Sequence, residues 1–138
     1  MKPSAGPSAE QQAIRNRCFH PAGRFGEFTK SEIEQSIAER FEKIVRLYPD
    51  RPAVIATDRT WTYQELNGTA ELISRALVER LGVESEPVAI LLENGPEVIA
   101  AILGVLKAGK FFSLLDANFP VGRSAAVIED AQTRAIVA

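Results

Sequence analysis

Cysteine is nearly absent: Cys18 is the only one in 138 residues. An intrachain disulfide is therefore impossible, nothing points to an oxidising compartment, and the cytoplasm is the expected setting. An excess of one charge is lacking too, because 16 Lys and Arg stand against 18 Asp and Glu. Without clustered cations to displace phosphate counterions, no nucleic-acid partner is expected. Long hydrophobic runs are missing: the longest, Val98 to Leu106, is broken by Gly104 and reaches only half of the ~20 residues that cross a bilayer. No membrane partner is expected. Residues 1–12 have no apolar stretch that could serve as a secretory signal, and they read as a solvated tail. Neither a Gly-x-x-x-x-Gly-Lys-Ser/Thr loop nor a Gly-x-Gly-x-x-Gly turn occurs, so no phosphate cradle can be assigned. Cys18 and His20 invite a metal or nucleophile reading, but no further ligand or base accompanies them, and they read as incidental.

What is present is the composition of one compact domain, 46% hydrophobic and 25% charged. Residues 13–28 mix aromatics with Gly, Pro and Arg without any period, so residues 1–28 read as a flexible or irregular arm and 29–138 as the domain. Ser31 with Glu34 has the spacing of a capping box, and Ile33, Ile37, Phe41, Ile44 and Tyr48 recur at helical spacing. One amphipathic helix is predicted, ending at Tyr48 before Pro49-Asp50-Arg51-Pro52. Residues 53–56 and 60–63 predict a β-hairpin around Thr57-Asp58-Arg59. Thr62 and Glu65 form a second box, opening a helix whose apolar stripe is Leu66, Ala70, Ile73, Leu77 and Leu81, with Gly82 as its stop.

From residue 88 the pattern is βαβαβ: strand 88–92, helix 96–108, strand 111–115, helix 121–131, strand 135–137. Nearly continuous apolar strands joined by crossovers of this length predict an α/β fold with an open, mainly parallel sheet and flanking helices. Pro96 and Gly109 are placed as helix start and stop, and Gly104 is expected to let its helix pack closely on the sheet. The last strand ends one residue before the last of the sequence, so the sheet is expected to be unfinished.

Two segments carry more than fold. Thr62-Tyr63-Gln64-Glu65-Leu66 matches a Thr/Ser-Tyr-x-Glu-Leu motif, and Leu106-Lys107-Ala108-Gly109 runs through an aromatic strand to Asp116 and then to Phe119-Pro120-Val121-Gly122-Arg123. Together they resemble the adenylate-forming (AMP-binding) carboxylate-activating enzymes, most of all the amino-acid adenylation domains of nonribosomal peptide synthetases. The resemblance covers about residues 35–138. It departs at Leu114 and Ala117, where the family commonly has Pro, at Phe119 (commonly Tyr) and at Ser113 (commonly apolar).

Read as residues alone, Lys107 complements the negative end of its helix and Gly109 relieves a left-handed termination. Asp116, at the carboxyl edge of a strand, organises its turn or pairs with Arg123. Ligand contact there, and at Glu93 and Asn94, is the weaker alternative. Trp61 and Tyr63 read as core and cap rather than as a stacking pair for a base.

The resemblance implies a reaction in which a carboxylate attacks the α-phosphate of MgATP, pyrophosphate leaves, and the acyl-adenylate passes to a carrier thiol. It makes ATP and Mg cofactors of a complete enzyme, with the remainder of that enzyme or a carrier protein as partner. It also implies that the ATP loop, magnesium-binding acid, substrate-pocket aspartate and lid lysine lie beyond the matched residues. No catalytic, cofactor-binding or metal residue is therefore assigned, and the chain alone is expected to be inactive. The motif residues Thr62, Tyr63, Glu65, Leu66, Leu106, Lys107, Ala108, Gly109, Asp116, Pro120 and Arg123 are assigned structural roles. Three alternatives stay open: part of a fatty-acyl or aryl-acid ligase, a non-catalytic interaction module, or one subunit of a split enzyme.

Overall fold

The computed structural model describes residues 8–17 and 29–138. The chain divides after Glu34 into two units. The first contains helix α1 (Ala9–Arg17) and the short helix α2 (Lys30–Ile33). Helix α1 corrects the expectation of an irregular arm at these positions. Its start is a box that went unread in the sequence: the Ser8 hydroxyl accepts from Gln11 N–H at 3.2 Å, and the Gln11 side chain accepts from Ser8 N–H at 2.9 Å. Cys18, His20 and the rest of the arm between them and Thr29 lie outside the described residues.

The second unit runs from Gln35 to Ala138. The single helix expected from Ser31 is in fact interrupted. The boxes that form are Thr29 with Glu32, opening α2, and Ser36 with Glu39, opening α3 (Ile37–Leu47). A capping Ser must sit outside the helix in extended backbone, and Ser36 does so at φ −66°, ψ 157°. It thereby breaks the continuous stripe read across it. Strands β1 (Pro52–Ile55) and β2 (Thr60–Thr62) form the predicted antiparallel hairpin. Helix α4 (Tyr63–Leu81) opens on the Thr62–Glu65 box and stops at Gly82, whose φ of 72° suits a residue without a Cβ.

The alternating region follows as β3 (Pro87–Ile90), α5 (Pro96–Lys107), β4 (Phe111–Leu114), α6 (Val121–Asp130) and β5 (Ala135–Val137). All pairings are parallel and the order is β4-β3-β5, so the first strand is central. Val88, Ala89 and Ile90 are accordingly buried, as a central strand covered on both faces requires.

Helix α5 is buried on several sides because it lies between α4 and the sheet. Ala101, Val105 and Ala108 pack with Leu77, Val88 and Ile90, while Ala100 and Leu103 pack with Leu66 and Ala70 of α4. Gly104 serves this second contact. A Cβ there would meet Ala70 O and Ile73 Cβ, so the close approach is to α4 and not to the sheet. Trp61 and Phe41 border the same cluster, which fits the core reading of Trp61.

Candidate functional site

An open groove of about 550 Å³ lies at the carboxyl edge of the sheet, where β3 runs into Leu92-Glu93-Asn94 and β4 into Leu115 through Phe119. Open α/β sheets place their ligands at this edge. Its charged liners are the carboxylates Glu93 and Asp116, and its amides are Asn94 and Asn118. Neither Lys nor Arg lines it.

Asp116 organises the turn. Its Oδ1 accepts from Asn118 N–H at 2.8 Å and from Asn118 Nδ2 at 3.0 Å, and Phe119 N–H donates to its carbonyl at 3.0 Å. The alternative pairing with Arg123 is not what forms. The Arg123 guanidinium instead stacks over the Phe119 ring, 4.3 Å from its centroid. Pro120 is the N-cap of α6, one step before Val121.

The other motif residues are held in two further places. Thr62 caps α4: its N–H and hydroxyl both donate to Glu65 Oε2, at 2.8 and 3.0 Å. These two bonds, the backbone one first, hold the Glu65 carboxyl below its ordinary value of 4.5. Tyr63 sets its ring 6.2 Å from that of Phe41, and Leu66 is buried in the cluster beneath.

At the far end of α5, Leu106 is half-buried and Ala108 is the buried C-cap. Gly109 follows at φ 69°. Gly109 N–H donates to Leu106 O and Lys110 N–H to Val105 O, the paired bonds of a Schellman termination.

Lys107 does more than complement its helix end. Its ammonium donates to Glu42 Oε1 of α3 at 2.6 Å and to Asn67 Oδ1 of α4 at 3.0 Å, and lies 3.9 Å from Glu71 Oε1. The next lysine, Lys110, is buried and donates to the carbonyls of Gly82 and Glu84 at 2.9 and 2.8 Å. It thereby ties the exit of α4 to the start of β4. Sequence reading missed Glu42, Asn67, Glu71 and Lys110, because their partners lie 26 to 65 positions away.

These residues do not fit a triphosphate. Polyphosphate binding calls for cations or a cradle of backbone N–H groups, whereas the groove presents two carboxylates. Among the described residues, no three His, Cys, Asp or Glu side chains gather into a cluster that could hold a metal ion by themselves. Nor, among them, is any helix long and apolar enough to cross a membrane.

Comparison with known proteins agrees with the geometry. Residues 41–138 match the family described as AMP-binding enzyme. The chain belongs to that family. Among relatives, it is 37% identical over 115 residues to the dimodular nonribosomal peptide synthase of Bacillus subtilis strain 168, an alignment covering 83% of this chain and 5% of that protein. Among solved structures, the Klebsiella oxytoca NpsA N-terminal subdomain superposes with a TM-score of 0.69 at 26% identity, covering 75% of this chain and 27% of that one. The artificially fused adenylation–PCP di-domain NpsA-ThdA from the same organism gives 0.69 and 26%, covering 74% and 19%. The chain thus spans a small part of these relatives, and its fold, a parallel sheet with flanking helices, matches that of the NpsA N-terminal subdomain.

Proposed function

We propose that this chain is the N-terminal scaffold of an amino-acid-activating adenylation unit of nonribosomal peptide synthesis, and that it performs no adenylation by itself. The observation that carries the reading is the family match over residues 41–138 in a chain whose sheet-edge groove is lined by Glu93 and Asp116 rather than by cations. Adenylation depends on positioning and on stabilising charge around the phosphates. The residues here build the layer on which such a site rests: the α4–α5 pair, the parallel sheet and the Asp116 turn. ATP and magnesium are, on this reading, cofactors of the longer enzyme, and a carrier protein is its partner. Similarity to an adenylation–PCP fusion supports that partner. ATP–pyrophosphate exchange tests the proposal: the purified 138-residue chain, given a panel of amino acids, yields no exchange above blank. Turnover with any amino acid overturns it.

A second reading, one subunit of a split enzyme, is favoured by the apolar side chains left open on both outer strands. Phe111 and Leu114 of β4 and Ile136 of β5 are each at least half exposed. Unpaired strand edges with such side chains are templates for another chain. Native mass measurement in the presence of a downstream adenylation polypeptide separates the two readings, since only the split enzyme gives a stable complex.

A further inference from the structure

The motif residue Lys107 has a role that helix-end electrostatics does not require. Its side chain is 8% exposed, and it reaches across from α5 to α3 and α4 at once. Around it, Asn67 Nδ2 donates to Glu71 Oε1 at 2.9 Å, and Arg46 and Arg75 stand 3.9 Å from Glu42 and Glu71.

Helix α3 needs such an anchor. None of its residues is fully buried, and Ile37 and Leu47 at its two ends are exposed. Its apolar contribution to the core is Phe41, which borders the Leu66–Leu103 cluster without being enclosed by it. By contrast, α4 and α5 bury residues in both clusters. Its C-terminal end is tied on by the backbone, through Gln64 N–H to Pro49 O at 2.9 Å and Tyr63 N–H to Arg51 O at 3.0 Å. In its first two turns Phe41 borders the core, and the neighbouring Glu42 is the residue that Lys107 holds.

We propose that Lys107 is a clasp that makes the docking of α3 conditional: α3 opens as its own unit, independently of the α4–α5 pair and the sheet, and the Lys107–Glu42 contact sets how often. The physical basis is unequal local stability, in which a helix with few buried apolar contacts opens more readily than the enclosed α4–α5 pair. A low-exposure ammonium that loses its nearer carboxylate keeps only the Asn67 bond and the more distant Glu71, and is destabilised by the loss. Since α3 is the first helix of residues 35–138, its release frees the entry of the chain into that unit while the sheet persists. This inference does not depend on the adenylation reading.

Amide hydrogen exchange on the full 138-residue chain tests it, comparing wild type with Lys107→Met, which keeps the apolar stem, and Glu42→Gln, which removes the partner's charge. Exchange across residues 37–47 is expected to quicken by about tenfold or more in both variants, with α5 and β3 amides at wild-type rates. Unchanged protection of 37–47 in Glu42→Gln overturns the proposal, as does equal acceleration of α3, α5 and β3. If Lys107→Met does not fold, Glu42→Gln alone decides, because Glu42 is partly exposed and its replacement leaves no large void.

Discussion

Gly104 of α5 lies so near Ile73 of α4 that a methyl group on it would stand 2.8 Å from Ile73 Cβ, and equally close to the Ala70 carbonyl oxygen. One neighbour is backbone, so it cannot swing away. Gly104→Ala gains roughly 1 kcal/mol in helix propensity but forces the helices apart, and overpacking of this kind costs about 1–3 kcal/mol. A net loss is expected, larger for Gly104→Val, read as a lower urea midpoint at unchanged slope.

Two helices in this chain end in the same pair of backbone bonds with different residues at the left-handed position. Gly109 stands after α5 at φ 69°, and Gln132 stands after α6 at φ 49°. A Cβ in that conformation costs roughly 1–2 kcal/mol. Gly109→Ala should therefore destabilise the protein by about 1 kcal/mol, and Gln132→Gly should leave it unchanged or raise its stability. Thermal unfolding of the two variants checks the opposite signs.

Lys110→Met removes the ammonium that holds the Gly82 and Glu84 carbonyls while keeping the stem. Hydrogen bonds from a charged donor contribute about 1.5–3 kcal/mol each at most, and a loss in that range is expected for the site. Denaturant unfolding measures it. A variant as stable as wild type contradicts the anchoring role.

Glu39 and Glu65 are held below their ordinary value of 4.5 by the backbone N–H and then the hydroxyl of Ser36 and Thr62. A carboxyl whose pKa is lowered by folding binds fewer protons in the folded state. Its contribution is complete above 4.5 and is lost as pH falls through the lowered value. The urea midpoint should drop on acidification through this window, and the fall should be shallower in Glu39→Gln/Glu65→Gln. In Thr62→Ala, NMR titration of Glu65 should move back up toward 4.5.

The lower half of the chain was legible because its signals are local. The Thr62–Glu65 box, Pro96, Gly109 and the apolar strands each act within a few residues, and all appear where the sequence places them. The failures have local causes as well. Thr29, Ser31 and Ser36 all precede an acid by three residues, and spacing cannot choose among overlapping boxes. Helix α1 shows only a faint apolar stripe, so its Ser8–Gln11 box passed unread. At the candidate site, the Asp116-Ala117-Asn118 turn was readable as a turn, but its choice of Asn118 over Arg123 was not.

By itself, then, the sequence determined the elements from Pro52 onward, the parallel character of the sheet and the family, because propensity, capping and period-two or helical patterning are written in neighbouring residues. Tertiary structure alone decided that β3 is the central strand, that Gly104 faces α4, that Lys107 spans three helices and that Lys110 closes the exit of α4. Those contacts join residues far apart in the chain. Which long side chain meets which partner depends on how packed helices and strands are brought together, and no short window of sequence contains that information.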